Sequence, residues 1–490
     1  MGRKTTAQQI WIGWDQQDIT PSKPAELQGQ YYQRVSGYVR DPLSATALAL
    51  ESADRRNQAI LVSVDLLLVE REWQETLRNR VRSRIPDFDV SRLLINATHV
   101  HSAPLPTPTF PWWTPDDKTM TPEECHALLM DRMGKAVVNA WRRRKPGGIS
   151  PVLGHAVVGH CRRALYADGS AKMYGETARD DFAGMEGNED HGVDMLFCWD
   201  RGKRLTGIVV NLACPSQVME SAYCISADFF GELRRQIHRR YSKRLFVLSQ
   251  VSAAGDQSPR DLTRRYRGEP NFWSEEGLGA IGRRLLGAVD GAYPAARRNI
   301  RQRLVFRHSV QRLRLPLRRV TREEYKQAET VLRRLTAREP KRPNSPVSAY
   351  ARFVREVHAN EKARRHGPFD NKDRAFVIMR NNEAVIERYR IQNRRRFFPM
   401  ELHVIRLGEV ALAGNPFELY LDYGHQIKAR SNAQQTFVIQ LAGDCGRYLP
   451  SARAVAAGGY GALVSNGHVG PEGGRILVDE TVGAINSLWA

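Results

Sequence analysis

The chain is poor in cysteine: six in 490 residues (Cys125, Cys161, Cys198, Cys214, Cys224, Cys445), with no C-x-x-C pair. This excludes a disulfide framework and a structural zinc ribbon, while leaving room for a single cysteine ligand. Long apolar runs are missing as well. A membrane-spanning helix needs about 18 such residues, and the nearest approach, residues 59–69, is broken by Ser63 and Asp65. The start, Met1-Gly2-Arg3-Lys4-Thr5-Thr6, has some positive charge but no apolar stretch behind it, so the chain as given reads as cytoplasmic. A secreted or periplasmic protein already cleaved of its leader would look the same. Acidic residues fall short of basic ones, 53 against 74, for a net charge of +21. The arginines are nonetheless spread over predicted helix faces, as in Arg234, Arg235, Arg239 and Arg240, and no nucleic-acid motif accompanies them. No nucleic-acid partner is expected; a solvated basic surface that favours acidic substrates is. Internal repeats, coiled coils and low-complexity tracts are absent, and a homo-oligomer is left open.

What is present is a globular composition, 42% hydrophobic and 26% charged, with ample material for a core. Up to about residue 260, strand-like and helix-like segments alternate. Strands are predicted over 59–69, 92–98, 152–161, 193–199, 205–213 and 244–251. Helices are predicted over 71–84, over 121–144 behind the capping box Thr121-Pro122-Glu123-Glu124, and over 228–241 behind Ser226-Ala227-Asp228. From 274 to 392, arginine- and glutamate-rich helical patterns dominate, broken by Pro340, Pro343, Pro346 and Pro368 and by a strand-like stretch at 304–315. This stretch reads as a helix-rich elaboration within one domain spanning 1–490. A hairpin follows (402–405 and 410–413, turning at Gly408), then a helix opening at Asn415-Pro416-Phe417-Glu418, and a strand over 436–442. The fold class is α/β, with mixed β-sheets flanked by helices.

The chemistry gathers where predicted strands end. Ile95-Asn96-Ala97-Thr98-His99-Val100-His101 sets two imidazoles two residues apart, so that in extended backbone both face one side. Imidazole is the commonest zinc ligand and a proton carrier near neutral pH. Cys214 follows another strand, Gly255-Asp256-Gln257-Ser258-Pro259 a third, Glu418 lies just past the hairpin, and Tyr448 follows the last strand. Strand ends and their loops are where α/β sites assemble. Each residue also has a plain structural reading. Glu418 can complete a capping box, Cys214 can be a core thiol, Ser258 a turn serine, and Tyr448 and Tyr460 half-buried aromatics.

These segments resemble the neutral (alkaline, non-lysosomal) ceramidase family. Asn96 to Pro104 is similar to its A-T-H-T-H-S-G-P motif, Gly255 to Pro259 to its G-[DN]-x-S-P-N motif, and Asp18-Ile19-Thr20-Pro21 to its N-terminal D-I-T-P. Tyr448, followed by Leu449-Pro450-Ser451, and Tyr460 resemble its tyrosine-rich end. The resemblance implies a catalytic zinc held by His99, Glu418 and Tyr448, with His101 beside it to move a proton. It also implies a catalytic role for Ser258, and a substrate pocket lined by Arg162 and Tyr460. Three departures stand out. Asn211-Leu212-Ala213-Cys214-Pro215-Ser216 lacks the family's second histidine, so either Cys214 substitutes as the fourth ligand or the site binds metal weakly or not at all and the chemistry passes to side chains. Arg260 replaces the asparagine that ends the serine motif, placing a cation with Arg162 and Arg163 at the pocket edge. The chain also stops without the C-terminal β-sandwich domain of typical ceramidases. The expected function is therefore zinc-dependent hydrolysis, amidase-like, of a small or sugar-derived polar substrate. Two alternatives are a glycoside-cleaving enzyme and a noncatalytic binding protein on the same scaffold.

Overall fold

Alternation of side-chain size decides the layering. Along Ser44–Ser52 every residue is buried, Ala45, Ala47 and Ala49 packing on one face and Leu48 and Leu50 on the other, because successive strand side chains point to opposite faces. Here a sheet is covered on both sides. In the computed structural model, which describes residues 6–490 except 111, 113, 265–271, 338, 341–344 and 363–373, two sheets pack against each other with helices on both outer faces. Pro343, Pro368 and the first five residues lie outside the described residues.

The main sheet contains β1 (Gln8–Asp18), β2 (Ser44–Ser52), β3 (Gln58–Val64), β4 (Leu93–Ala97), β5 (Lys145–His155), β6 (Gly192–Asp200), β7 (Leu205–Leu212) and β8 (Phe246–Val251). Their spatial order is β8-β7-β6-β5-β1-β2-β3-β4, and the short strand Arg303–Leu304 adds to β1. The second sheet runs β9 (Phe306–Pro316), β10 (Phe397–Leu407), β11 (Val410–Gly414), β12 (Gln435–Ile439). Between the sheets, Trp14, Leu61 and Val209 pack with Ile405, Leu412 and Phe437. Outside the main sheet lie the helices Arg71–Arg82 and Pro122–Arg142, through Leu77, Val81, Met133 and Val137. The helices Asp228–Arg240 and Glu275–Arg298 cover its other half. Leu421–Arg430 and Pro471–Ser487 cover the second sheet.

Within the two large sheets three strand pairs are parallel: β3 with β4, β7 with β8, and β11 with β12. A parallel pair needs a crossover, supplied here by Arg71–Arg82, Asp228–Arg240 and Leu421–Arg430 respectively. The three sets of carboxyl ends are stitched together. Ser63 Oγ and Asn96 Nδ2 both donate to Ser249 O, and Asn211 Nδ2 donates to Val438 O at 2.8 Å. Six strand ends therefore open onto one place, the position where sheets of this class bind ligands.

The structure departs from the sequence reading in two segments that bear on this place. Asn415 opens no helix. Its Oδ1 accepts from Phe417 N in a local turn, and Phe417–Leu419 becomes a strand parallel to Arg447–Leu449, with the helix starting only at Leu421. The predicted strand 152–161 is two pieces: β5 ends at His155, and His160–Cys161 pairs separately with Gln257–Ser258. Within 274–392, Glu275–Arg298 packs in the core layer, whereas Arg322–Thr336, Ala349–Lys362 and Ala375–Ile391 are the helices that elaborate the fold. The capping box at Thr121 forms with both of its hydrogen bonds.

Candidate active site

β4 delivers the two histidines through a strained step. Thr98 N donates to Val64 O and Val100 N to Leu66 O, which leaves His99 between them at φ 61°. A side chain in this region costs on the order of 1–3 kcal/mol and persists only where its surroundings impose it. The result is a fixed imidazole. His99 Nδ1 donates to Leu67 O at 2.9 Å, so its Nε2 carries the lone pair, which faces Glu418 Oε2 at 3.5 Å and His101 Nε2 at 3.4 Å. His101 stands edge-on to His99 and packs flat on Gly29, where an added Cβ would lie 2.3 Å from His101 Nδ1. Gly29 also holds φ 95°, a conformation that glycine adopts without strain. Gly29→Ala is expected to displace the His101 ring and cut turnover by about 10²-fold, the effect of roughly 1 Å of misplacement, with folding unchanged by circular dichroism.

Glu418 and Tyr448 are direct register partners in the parallel pair Phe417–Leu419 and Arg447–Leu449. Their side chains reach the same cavity as the histidines. Burial pushes the Tyr448 phenol well above its ordinary range, the Glu418 carboxylate adds to this, and Arg162 opposes it. Arg162 is buried, and its Nη2 donates to Tyr448 Oη at 3.2 Å and to Gly255 O at 2.9 Å. Its Nη1 donates to Gln217 Oε1 at 3.0 Å, and Gln217 Nε2 donates in turn to His101 Nε2 at 2.8 Å. This chain assigns the proton of a neutral His101 to Nδ1, the side facing Glu220 Oε2 at 3.9 Å.

His99 Nε2 thus faces both a carboxylate oxygen and a second imidazole, and the Tyr448 phenol lines the same cavity. The 3.5 Å between His99 Nε2 and Glu418 Oε2 matches two donors on one tetrahedral ion, since bonds of about 2.1 Å set ligands about 3.4 Å apart. His99 and Glu418 are thus spaced as two donors on one ion would be, with Tyr448 on the same cavity wall.

The cavity has a volume of about 230 Å³ and is lined by His99, His101, Glu418, Tyr448, Tyr460 and Arg447, among others. Six of the ten residues singled out in the sequence meet in or under it: His99, His101, Glu418, Tyr448 and Tyr460 on its wall and Arg162 beneath Tyr448. The other four are placed elsewhere. Cys214 lies in the apolar cluster under the helix Asp228–Arg240, its thiol directed at Pro215 O (3.5 Å) and Val158 O (3.7 Å). Burial pushes that thiol far above its usual range. Arg163 is consumed by Glu186 (2.8 Å) and the Gly458 carbonyl (2.6 Å). Arg260 is held by Glu220 (2.9 Å) and Gln217 O (2.6 Å). Both guanidiniums brace loops and line no part of the cavity, whereas Arg447 does. Ser258 is fully buried in its short strand, with its Oγ accepting from Arg260 N at 3.3 Å.

Three cavity or relay residues carry no sequence signal. Tyr31 donates to Tyr460 Oη at 2.8 Å, Gln217 orients His101, and Gly29 makes room for it. All come from loops brought in by the fold. A separate group, His160, Glu189 and His191, gathers its ligand atoms within 4.8 Å, the one such cluster of His, Cys, Asp or Glu among the described residues. The pair Glu189-Asp190-His191 was its only visible trace in the chain.

The layers and the strand-end cavity define a mixed α/β protein with its site at the carboxyl ends of parallel strand pairs. Among solved structures, the chain has the neutral-ceramidase-like fold. It is similar to the neutral ceramidase of Pseudomonas aeruginosa, with a TM-score of 0.66 and 15% identity, over 98% of this chain and 75% of that one. A ceramidase complexed with C2 matches with a TM-score of 0.64 and 15% identity, over 97% of this chain and 74% of that one. No family model matches the sequence, and no curated protein matches it. No helix among the described residues is long and apolar enough to cross a membrane.

Proposed function

We propose that the chain is a metal-dependent hydrolase, with His99, Glu418 and Tyr448 holding a zinc ion and His101 moving the proton, acting on an amide or N-acyl bond. The observation that carries this reading is the meeting of His99, Glu418 and Tyr448 around one cavity beside His101. A zinc there supplies Lewis acidity, polarising the scissile carbonyl and lowering the pKa of water from about 16 towards about 7. The Leu67 carbonyl fixes the His99 tautomer, the usual task of an outer partner of a ligating histidine. Arg162 and Gln217 hold Tyr448 and His101 in register, which keeps the His101 imidazole beside the reacting groups to move a proton to the leaving group. Cys214 is not among the donors in this scheme.

The substrate is small, polar and acidic rather than a long-chain lipid. A cavity of about 230 Å³ is below the range usual for drug-sized ligands. Arg447 on its wall also lines a neighbouring cavity of about 760 Å³ together with Arg318, Arg388, Arg395 and Arg396. Guanidinium forks suit carboxylate, sulfate or phosphate groups. The test is metal analysis of the purified protein, followed by a screen of soluble acidic and neutral N-acyl compounds, glycosides, and ceramide in mixed micelles. Chelator-sensitive turnover of soluble acidic N-acyl compounds is expected. Turnover of ceramide alone would overturn the substrate class, and turnover of glycosides alone would overturn the bond. The Cys214 thiol, turned into the core, favours a second reading, a noncatalytic binding protein; absence of both metal and turnover would establish it.

A further inference from the structure

The cluster at His160, Glu189 and His191 takes no part in the scheme above, and its donors are those that transition metals take. We propose that these three residues bind a divalent ion of the zinc class, forming a second metal site that latches the floor of the catalytic cavity to the 186–191 loop. His160 Nδ1 stands 3.2 Å from Glu189 Oε2, and the same carboxylate oxygen stands 3.2 Å from His191 Nε2. Donors bound at about 2.1 Å on a tetrahedral ion are about 3.4 Å apart, which matches these two edges, and all three ligand atoms lie within 4.8 Å of one another. Two imidazoles and a carboxylate are a donor set that zinc-class ions take, leaving a coordination position open to solvent. Solvent can reach it, since Glu189 and His191 are about one-third exposed while His160 is buried.

The donors are held in place before any ion arrives, which limits the cost of binding. Cys161 N donates to Glu189 Oε1 at 3.2 Å, and Gln257 Nε2 donates to Asn188 O at 3.0 Å. Lys428 Nζ holds Asp190 at 3.0 Å, and Ala156 N donates to His191 O at 2.9 Å. His191 Nδ1 is buried with no hydrogen-bond partner, so its ring is anchored only through the side that faces Glu189. The location gives the site its role. His160 is the register partner of Ser258, and two residues further on Arg162 donates to Tyr448 in the catalytic cavity. An ion here would fix the strand that sets that guanidinium.

The full chain, stripped by chelator and dialysed, would be titrated with Zn²⁺ alone, with bound metal counted and Tm recorded. His191→Ala and Glu189→Gln change partly exposed side chains and are expected to bind one equivalent less zinc than wild type. Glu418→Gln, which disables the catalytic cavity, is expected to keep this equivalent and the rise in Tm on adding zinc. The double variant Glu418→Gln/His191→Ala is expected to lose both. If the cavity itself holds no metal, wild type binds one equivalent and His191→Ala none, so the two sites fail independently. Equal zinc binding and an equal Tm rise with and without His191 would overturn the proposal, reducing the cluster to a hydrogen-bonded ion pair.

Discussion

Glu418→Gln is expected to lose bound metal in the catalytic cavity and turnover together, turnover falling by about 10³-fold or more, since even outer partners of a metal ligand cost 10- to 100-fold. The substitution keeps the shape of the side chain and an oxygen that can still accept from Tyr448. It removes the one anionic group that His99 Nε2 faces, at 3.5 Å. One imidazole and a phenol remain, a far weaker set for a divalent ion. Because Glu418 sits on a strand paired in register with Tyr448, the backbone has no reason to move, and an unchanged Tm in chelator separates loss of metal from loss of fold. Retention of cavity metal with a near-normal rate would remove Glu418 from the ligand set.

His101→Ala is expected to leave metal content intact and to lower turnover by about 10²- to 10⁴-fold, the range for a lost general acid-base group. His101 Nε2 accepts from Gln217 and lies 3.4 Å from His99 Nε2, whereas His99 alone has its Nδ1 anchored by a backbone carbonyl. That asymmetry separates a proton carrier from a ligand. Loss of metal in this variant would instead make His101 a ligand.

Much of the site was legible in the chain because its residues sit at the ends of apolar strands, and such strands announce themselves. Leu93 to Ala97 is apolar, buried and β-branched where it needs to be, so His99 and His101 could be placed past its end from sequence alone. β1 and β2 were harder to see. β2 is built largely of small alanines, which carry little strand preference, and β1 is flanked by glutamines.

The split at Glu418 shows what sequence cannot decide. Asn415-Pro416-Phe417-Glu418 reads locally as a helix start, and only pairing with Arg447–Leu449, about thirty residues later in the chain, turns it into a strand that aims the carboxylate at His99. Arg260 and Arg163 read as pocket cations, but buried guanidiniums must be satisfied, and the carboxylates and carbonyls that satisfy them come from distant loops. The same holds for Cys214. Its position after β7 was visible in the chain, while the direction of its thiol was set by the packing of the helix Asp228–Arg240. The sequence by itself determined the strand ends and the residues at them, through local pattern and spacing. Which of those residues face one another was decided only by tertiary structure, because three crossovers and the contact between two sheets bring their ends together.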